Sequence, residues 1–200
     1  DGGFFRDSDI VGNYLAFGND DGVELEGGGM NVRFYRNRIE GTLCGVSTGA
    51  SILGPQFVYG NLIAHPGDES GLALMHFKNS HGSPQTGKRH FFNNTLFGSR
   101  ASAYGSYGNA SAAGDDRLGY TRNNVIVASG ARLPGPWGQR ENFDHDLFWH
   151  ERDPAIARAY RAAWQAVGQE AHGVVADPRF VAPAEGDFRL RADSPGRQRG

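Results

Sequence analysis

One recurring phrase limits the fold of this chain more than any other feature. Apolar and polar residues alternate into an Asn, and an apolar residue follows. The phrase reads Ile10-Val11-Gly12-Asn13-Tyr14-Leu15, then Val32-Arg33-Phe34-Tyr35-Arg36-Asn37-Arg38-Ile39. It returns as Phe57-Val58-Tyr59-Gly60-Asn61-Leu62-Ile63, as His90-Phe91-Phe92-Asn93-Asn94-Thr95-Leu96 and as Leu118-Gly119-Tyr120-Thr121-Arg122-Asn123-Asn124-Val125-Ile126. Marks at Asn13, Asn37, Asn61, Asn93 and Asn123 lie 24, 24, 32 and 30 residues apart, a fixed unit that later takes insertions. A second phrase runs in phase with the first: Gly22-Val23-Glu24-Leu25-Glu26, Gly45-Val46-Ser47-Thr48-Gly49 and Gly71-Leu72-Ala73-Leu74-Met75.

Each repeat therefore carries at least two short alternating strands separated by Gly, Asn or Asp turns. One such repeat cannot bury its inward Val, Leu, Ile and Phe side chains, but a stack of repeats can. Stacking sets like residues about 4.8 Å apart, as in neighbouring parallel strands. Asn at the same turn of every repeat can then form a side-chain ladder and tolerate a left-handed backbone. Parallel crossovers are right-handed. A leucine-rich repeat would show Leu-x-x-Leu-x-Leu, and a propeller blade would need about 40 residues. The expected fold is all-β: a right-handed parallel β-helix, a solenoid with a C-terminal cap containing one α-helix.

Residues 1–150 are assigned to the repeats and 151–200 to the cap of the same domain. Asn142–Trp149 reads as a last, degenerate strand. From Asp153 to Gln169 the pattern is helical, with Asp153 as N-cap, Pro154 at the first position and Gly168 as stop. Its apolar face is expected to be Ile156, Ala159, Tyr160, Ala163, Trp164 and Val167. The 30 glycines among 200 residues, without a Gly-X-Y period, fit a chain that turns often. A net charge of −2 gives no electrostatic case for nucleic acid or an anionic membrane. No apolar run reaches membrane-spanning length. Cys44 has no partner for an internal disulfide and reads as a small buried residue. The start Asp1-Gly2-Gly3, with neither initiator Met nor signal peptide, reads as a fragment or a processed product.

The Asn-ended repeats, with Asp177-Pro178-Arg179-Phe180, Gly186-Asp187-Phe188-Arg189-Leu190-Arg191-Ala192-Asp193-Ser194-Pro195 and the stretch Asp20–Gly29, resemble bacterial secreted right-handed β-helix proteins of the pectate-lyase-like superfamily. The resemblance covers nearly the whole chain. It implies a secreted or periplasmic monomer acting on a glycan as lyase, hydrolase or epimerase. The chain lacks the Asn-Thr-Asp, Asp-Asp, His-Gly and Arg-Ile-Lys set of polygalacturonase-like hydrolases and the Asp-Pro-His-Asp run of mannuronan epimerases. Its Glu-x-Glu pair resembles the calcium ligands of chondroitinase-B-like and alginate lyases, without that family's spacing to its catalytic Lys.

Candidate chemistry centres on Asp20, Asp21, Glu24 and Glu26. With Val23 and Leu25 inward, Glu24 and Glu26 project outward roughly 7 Å apart. Together with Asp21 they offer hard oxygen ligands for Ca²⁺, which would neutralise a uronate. The competing reading is a solvated face paired with Arg33 and Arg36. Lys78 and His76, two repeats on, are the base candidates for β-elimination. Alternation turns His76 inward, where a hydrogen-bonded core histidine is the commoner role. Substrate-gripping candidates are His81, Lys88 and Arg89, on or beside the insertion 79–89, and Tyr104 with Tyr107. His145, Trp149 and His150 are read as structural. Three functions stay open: a lyase on an acidic polysaccharide, a non-catalytic carbohydrate-binding or adhesion module, and a hydrolase using a pair such as Asp21 and Glu24.

Overall fold

A computed structural model describes residues 3–48, 52–65, 67, 75–78, 87–99, 102–105, 118–129 and 142–198. Among the described residues strand predominates, with one α-helix and three parallel sheets, an all-β architecture. The six-stranded sheet contains β1 (Asp9–Val11), β4 (Val32–Tyr35), β7 (Gln56–Tyr59), β10 (Arg89–Phe92), β13 (Leu118–Arg122) and β15 (Asn142–Asp144), in that order. The seven-stranded sheet runs through β2 (Tyr14–Ala16), β5 (Arg38–Glu40), β8 (Leu62–Ala64), β11 (Thr95–Ser99), β14 (Val125–Ala128), β16 (Leu147–His150) and β17 (Val174–Val175). A four-stranded sheet holds β3 (Asp21–Glu24), β6 (Cys44–Ser47), β9 (Met75–Lys78) and β12 (Ser102–Gly105). In each sheet a strand pairs with its counterpart from the next repeat. Phe34 thus lies beside Ile10 and Val58, and Ile39 beside Leu15 and Ile63.

One core joins the three sheets. It contains Phe34, Val58, Phe91 and Phe143 from the first, Ile39, Ile63, Leu96, Ile126 and Phe148 from the second, and Val46 and Phe77 from the third. The initial Gly of the second phrase has a steric reason. A Cβ at Gly22 would lie 2.6 Å from Ile39 Cγ2, and one at Gly45 would lie 2.5 Å from the His76 carbonyl oxygen. The corner therefore admits only glycine at those two levels. The third strand of this sheet is Met75–Lys78, the second half of the expected strand Leu72–Lys78, with Phe77 beside Val46. Residues 71–74 lie outside the described residues.

The ladder is present, with two rungs shifted. Asn13 donates to Asn37 Oδ1, Asn37 to Asn61, Asn61 to Asn94, and Asn94 to Asn124, each through both its backbone N–H and its Nδ2. Asn93 and Asn123, the residues marked in the sequence, are the positive-φ turn residues just before the rungs, at φ 56° and 58°. Gly12, Arg36 and Gly60 occupy that turn in the earlier repeats. In an Asn-Asn pair either residue suits either role locally, so only stacking shows which is which.

The predicted last strand is two strands, β15 and β16, with His145 (φ 66°) at the turn and Asp146 in the rung position. Asp146 Oδ1 accepts the N–H and Nδ2 of Asn124 at 2.7 and 3.1 Å. Its own N–H reaches Glu170 Oε2 at 3.2 Å. Burial, then the neighbouring Glu170, raises the Asp146 carboxyl well above its ordinary range, and burial pushes Glu170 up to about 7. Burial therefore favours the protonated Asp146 carboxyl, which can donate as an Asn side chain does.

The helix α1 spans Pro154–Gln165 and starts as expected, with Asp153 Oδ1 accepting the Ala155 N–H at 2.8 Å. It is shorter than the sequence pattern, turning at Ala166 and reaching positive φ at Gly168. Ala157, Tyr160 and Trp164 are its buried face, whereas Ala159 and Val167 are exposed. Trp164 packs on Phe143 at 4.4 Å and Tyr160 on Phe148 at 5.1 Å, covering the end of the core. Beyond the helix, β18 (Phe180–Ala182) and β19 (Asp187–Leu190) form an antiparallel hairpin. Phe180 and Phe188 pack on Ala64, Phe97, Val125, Val127 and Leu147, the outward residues of the seven-stranded sheet. The hairpin reaches back as far as Arg38, whose Nη1 donates to the Gly186 carbonyl at 3.2 Å.

Candidate functional site

The acidic cluster lies at the edge of the four-stranded sheet. Leu25 is buried and Glu24 exposed, in line with the expected alternation. Glu24 sits beside Ser47, and Ser47 beside Lys78, in one row across β3, β6 and β9. Lys78 reaches across two strands to bond Asp21, whose side chain is only 1% exposed. Burial works against the Lys78 charge, but the Asp21 hydrogen bond, with the charges of Asp21 and Glu26, holds its pKa above the ordinary lysine value. Glu26 takes the Ser47 hydroxyl as donor. Asp21, Glu24 and Glu26 thus face different neighbours, and among the described residues their oxygens do not converge on one ion position. The carboxylates expected to hold Ca²⁺ turn instead to Lys78, to Ser47 and to solvent.

The other expected site residues separate. His76 is fully buried, as alternation required, with Nε2 3.2 Å from the Phe97 carbonyl oxygen, and so has no route to a glycan. Arg89 opens β10, is 1% exposed and points Nη1 at the Thr48 carbonyl at 3.3 Å. It ties two repeats together and does not face solvent, contrary to the expected substrate contact. Pairing with Gln56 brings this end of the insertion back into the sheet. Lys88 is exposed. Tyr104 lies on β12, but its side chain, like His81 and Tyr107, is outside the described residues. His150 is structural, as expected. It is buried, and its Nδ1 accepts the Arg152 and Asp153 N–H groups at 3.2 and 3.0 Å.

The outer face of the six-stranded sheet carries a feature absent from the sequence-based expectation. In the row Val11, Tyr35, Tyr59, Phe92, Arg122 and Asp144, residues stand beside one another across six strands. The rings of Tyr35 and Tyr59 stack at 4.8 Å, and those of Tyr59 and Phe92 at 4.9 Å. Alongside runs the row Asp9, Arg33, Phe57 and His90, with Arg33 paired to Asp9 at 2.6 Å and Phe57 stacked on His90 at 5.0 Å. Burial, then the charge of Lys88, lowers the His90 pKa, which favours the neutral ring. The signal for this row is in the sequence: each member stands two residues before a ladder rung. The ring faces cover one another, so ring edges and the tyrosine hydroxyls are what this ridge presents.

Comparison with protein-family models, curated proteins and solved structures gives no match. Among the described residues, no helix is long and apolar enough to cross a membrane.

Proposed function

We propose that the three sheets are the faces of a right-handed parallel β-helix, and that the six-stranded face binds an extended glycan without cleaving it. The carrying observation is the stacked row Tyr35, Tyr59 and Phe92 beside Phe57 and His90. Its spacing repeats with the strands, giving a linear polymer a ridge of hydroxyls and apolar edges along the stack. Arg36 and Arg122 supply cations for an acidic chain. The fold assignment rests on repeats that each add a parallel strand to a sheet, with the usual hand of such crossovers. The likeness to pectate-lyase-like proteins, a secreted or periplasmic location and a monomeric state belong to the same proposal.

Lysine chemistry favours binding over β-elimination. A base must shed its proton, and the bond to buried Asp21 stabilises the protonated Lys78. The test is affinity electrophoresis against neutral and acidic glycans. Tyr59→Ala is expected to weaken retention by more than about 1 kcal/mol, roughly fivefold, with the fold intact. The double variant Asp21→Asn/Lys78→Met, which removes the buried pair together, is expected to leave retention unchanged. A calcium-dependent rise in the ultraviolet absorbance of an unsaturated product, lost in that double variant, would overturn the non-catalytic reading.

A further inference from the structure

At the C-terminal end of the stack, two neighbouring metal-binding side chains, Asp144 and His145, meet a third from well down the chain, His172. Asp144 ends β15, His145 forms the turn to β16, and His172 arrives on the segment after α1. Asp144 Oδ1 accepts two backbone N–H groups, from His145 at 2.9 Å and His172 at 2.8 Å. Those bonds fix the carboxylate and aim its other oxygen at both imidazoles. Oδ2 lies 2.8 Å from His172 Nδ1 and 3.6 Å from His145 Nε2. One donor atom from each of the three lies within 4.8 Å of the others.

We propose that Asp144, His145 and His172 bind a divalent transition metal of the zinc class. Two imidazoles and one carboxylate are a borderline-soft N₂O donor set, suited to Zn²⁺ and poorly suited to Ca²⁺ or Mg²⁺. Metal–ligand distances of about 2.0–2.2 Å bring such donors to roughly 3.2–3.6 Å of one another, a range bracketed by the 2.8 and 3.6 Å from Asp144 Oδ2 to the two imidazoles. The imidazoles now stack nearly parallel, 4.6 Å apart at 7°. An ion at Oδ2 needs each ring to turn its lone pair toward it, and His172, with its side chain 65% exposed, has room to do so. The paired backbone amides on Oδ1 are the orienting contacts that a ligating carboxylate needs. His145 occupies the positive-φ turn filled by Asn93 and Asn123 in the two preceding repeats, replacing an amide with an imidazole over Asp144. Three protein ligands leave a coordination position for water or a ligand carboxylate. The site does not depend on the glycan reading.

The experiment is calorimetric titration of the whole chain with zinc chloride, alongside NMR of the imidazole resonances. One zinc per chain is expected, with shifts at His145 and His172. Asp144→Asn keeps the oxygen that accepts the two N–H groups, and His172→Gln keeps a polar side chain. Each is expected to weaken zinc binding by at least about tenfold with an unchanged urea midpoint. His90→Gln is expected to bind as the parent does, and calcium chloride to give no site. Absence of binding at millimolar zinc, or binding that survives both Asp144→Asn and His172→Gln, overturns the proposal.

Discussion

The six-stranded and seven-stranded sheets are built from the same repeat, meet at the same Asn ladder and feed the same core. Their outer faces nevertheless have opposite fates. In the later strands of the seven-stranded sheet the outward residues Ala64, Phe97, Val125, Val127 and Leu147 are apolar, and the C-terminal hairpin lies on them. In the six-stranded sheet the outward residues are Tyr35, Tyr59, Phe92, Arg33 and Arg122, all half-buried. Alternation decides that every second residue points out, and composition decides whether that surface must be covered. The hairpin supplies a second apolar layer on one side only.

The largest effect should come from breaking the joint that both faces share. Asn61→Ala removes the acceptor used by the Asn37 N–H and Nδ2, and the donor to the Phe34 carbonyl and Asn94 Oδ1. With several buried polar groups left unpaired, it should cost more than about 3 kcal/mol in urea unfolding. A loss below about 1 kcal/mol, the worth of a single ordinary hydrogen bond, would mean that the ladder decorates the turn and does not hold it.

The next experiment measures the contrast between faces. Phe188→Ala opens a gap between the hairpin and Phe97, whose ring lies 4.8 Å away, and should cost about 3 kcal/mol. Tyr59→Ala on the opposite face removes a cross-strand stack at the surface and should cost about 1 kcal/mol or less. Equal losses would erase the distinction between a covered and an open face.

The smallest change should be Asp146→Asn. The amide can accept from Asn124 and donate toward Glu170, as Asn37, Asn61, Asn94 and Asn124 accept and donate in their rungs, so stability should stay within about 1 kcal/mol of the parent. Asp146→Leu, which can do neither, should cost more than about 2 kcal/mol. If Asp146→Asn proved as damaging as Asp146→Leu in the same melts, the rung would need a carboxyl and not merely a donor.

Much of the architecture was legible because it follows from local periodicity. The strands around Asn13, Asn37 and Asn61, the inward Val and Ile residues, the cap at Asp153 and the exposed Glu24 all follow from alternation, spacing or capping chemistry. Legibility failed where two local readings were equally good. Asn93 and Asn94 both suit a turn, and only the stacking of strands separates the rung from the residue before it. The candidate site was less legible still. Arg89 looked like part of a polar loop, yet pairing with Gln56 placed it inside.

By itself, then, the sequence determined the repeat, the alternation and the ladder chemistry, because each depends on residues close together in the chain. Only the tertiary structure decided that Lys78 is held by Asp21, that Asp146 is buried against Glu170, and that His172 comes to rest on His145. It alone decided which face the hairpin covers. Those outcomes depend on which repeats lie side by side and on where the segment after the helix returns, and no local pattern encodes either.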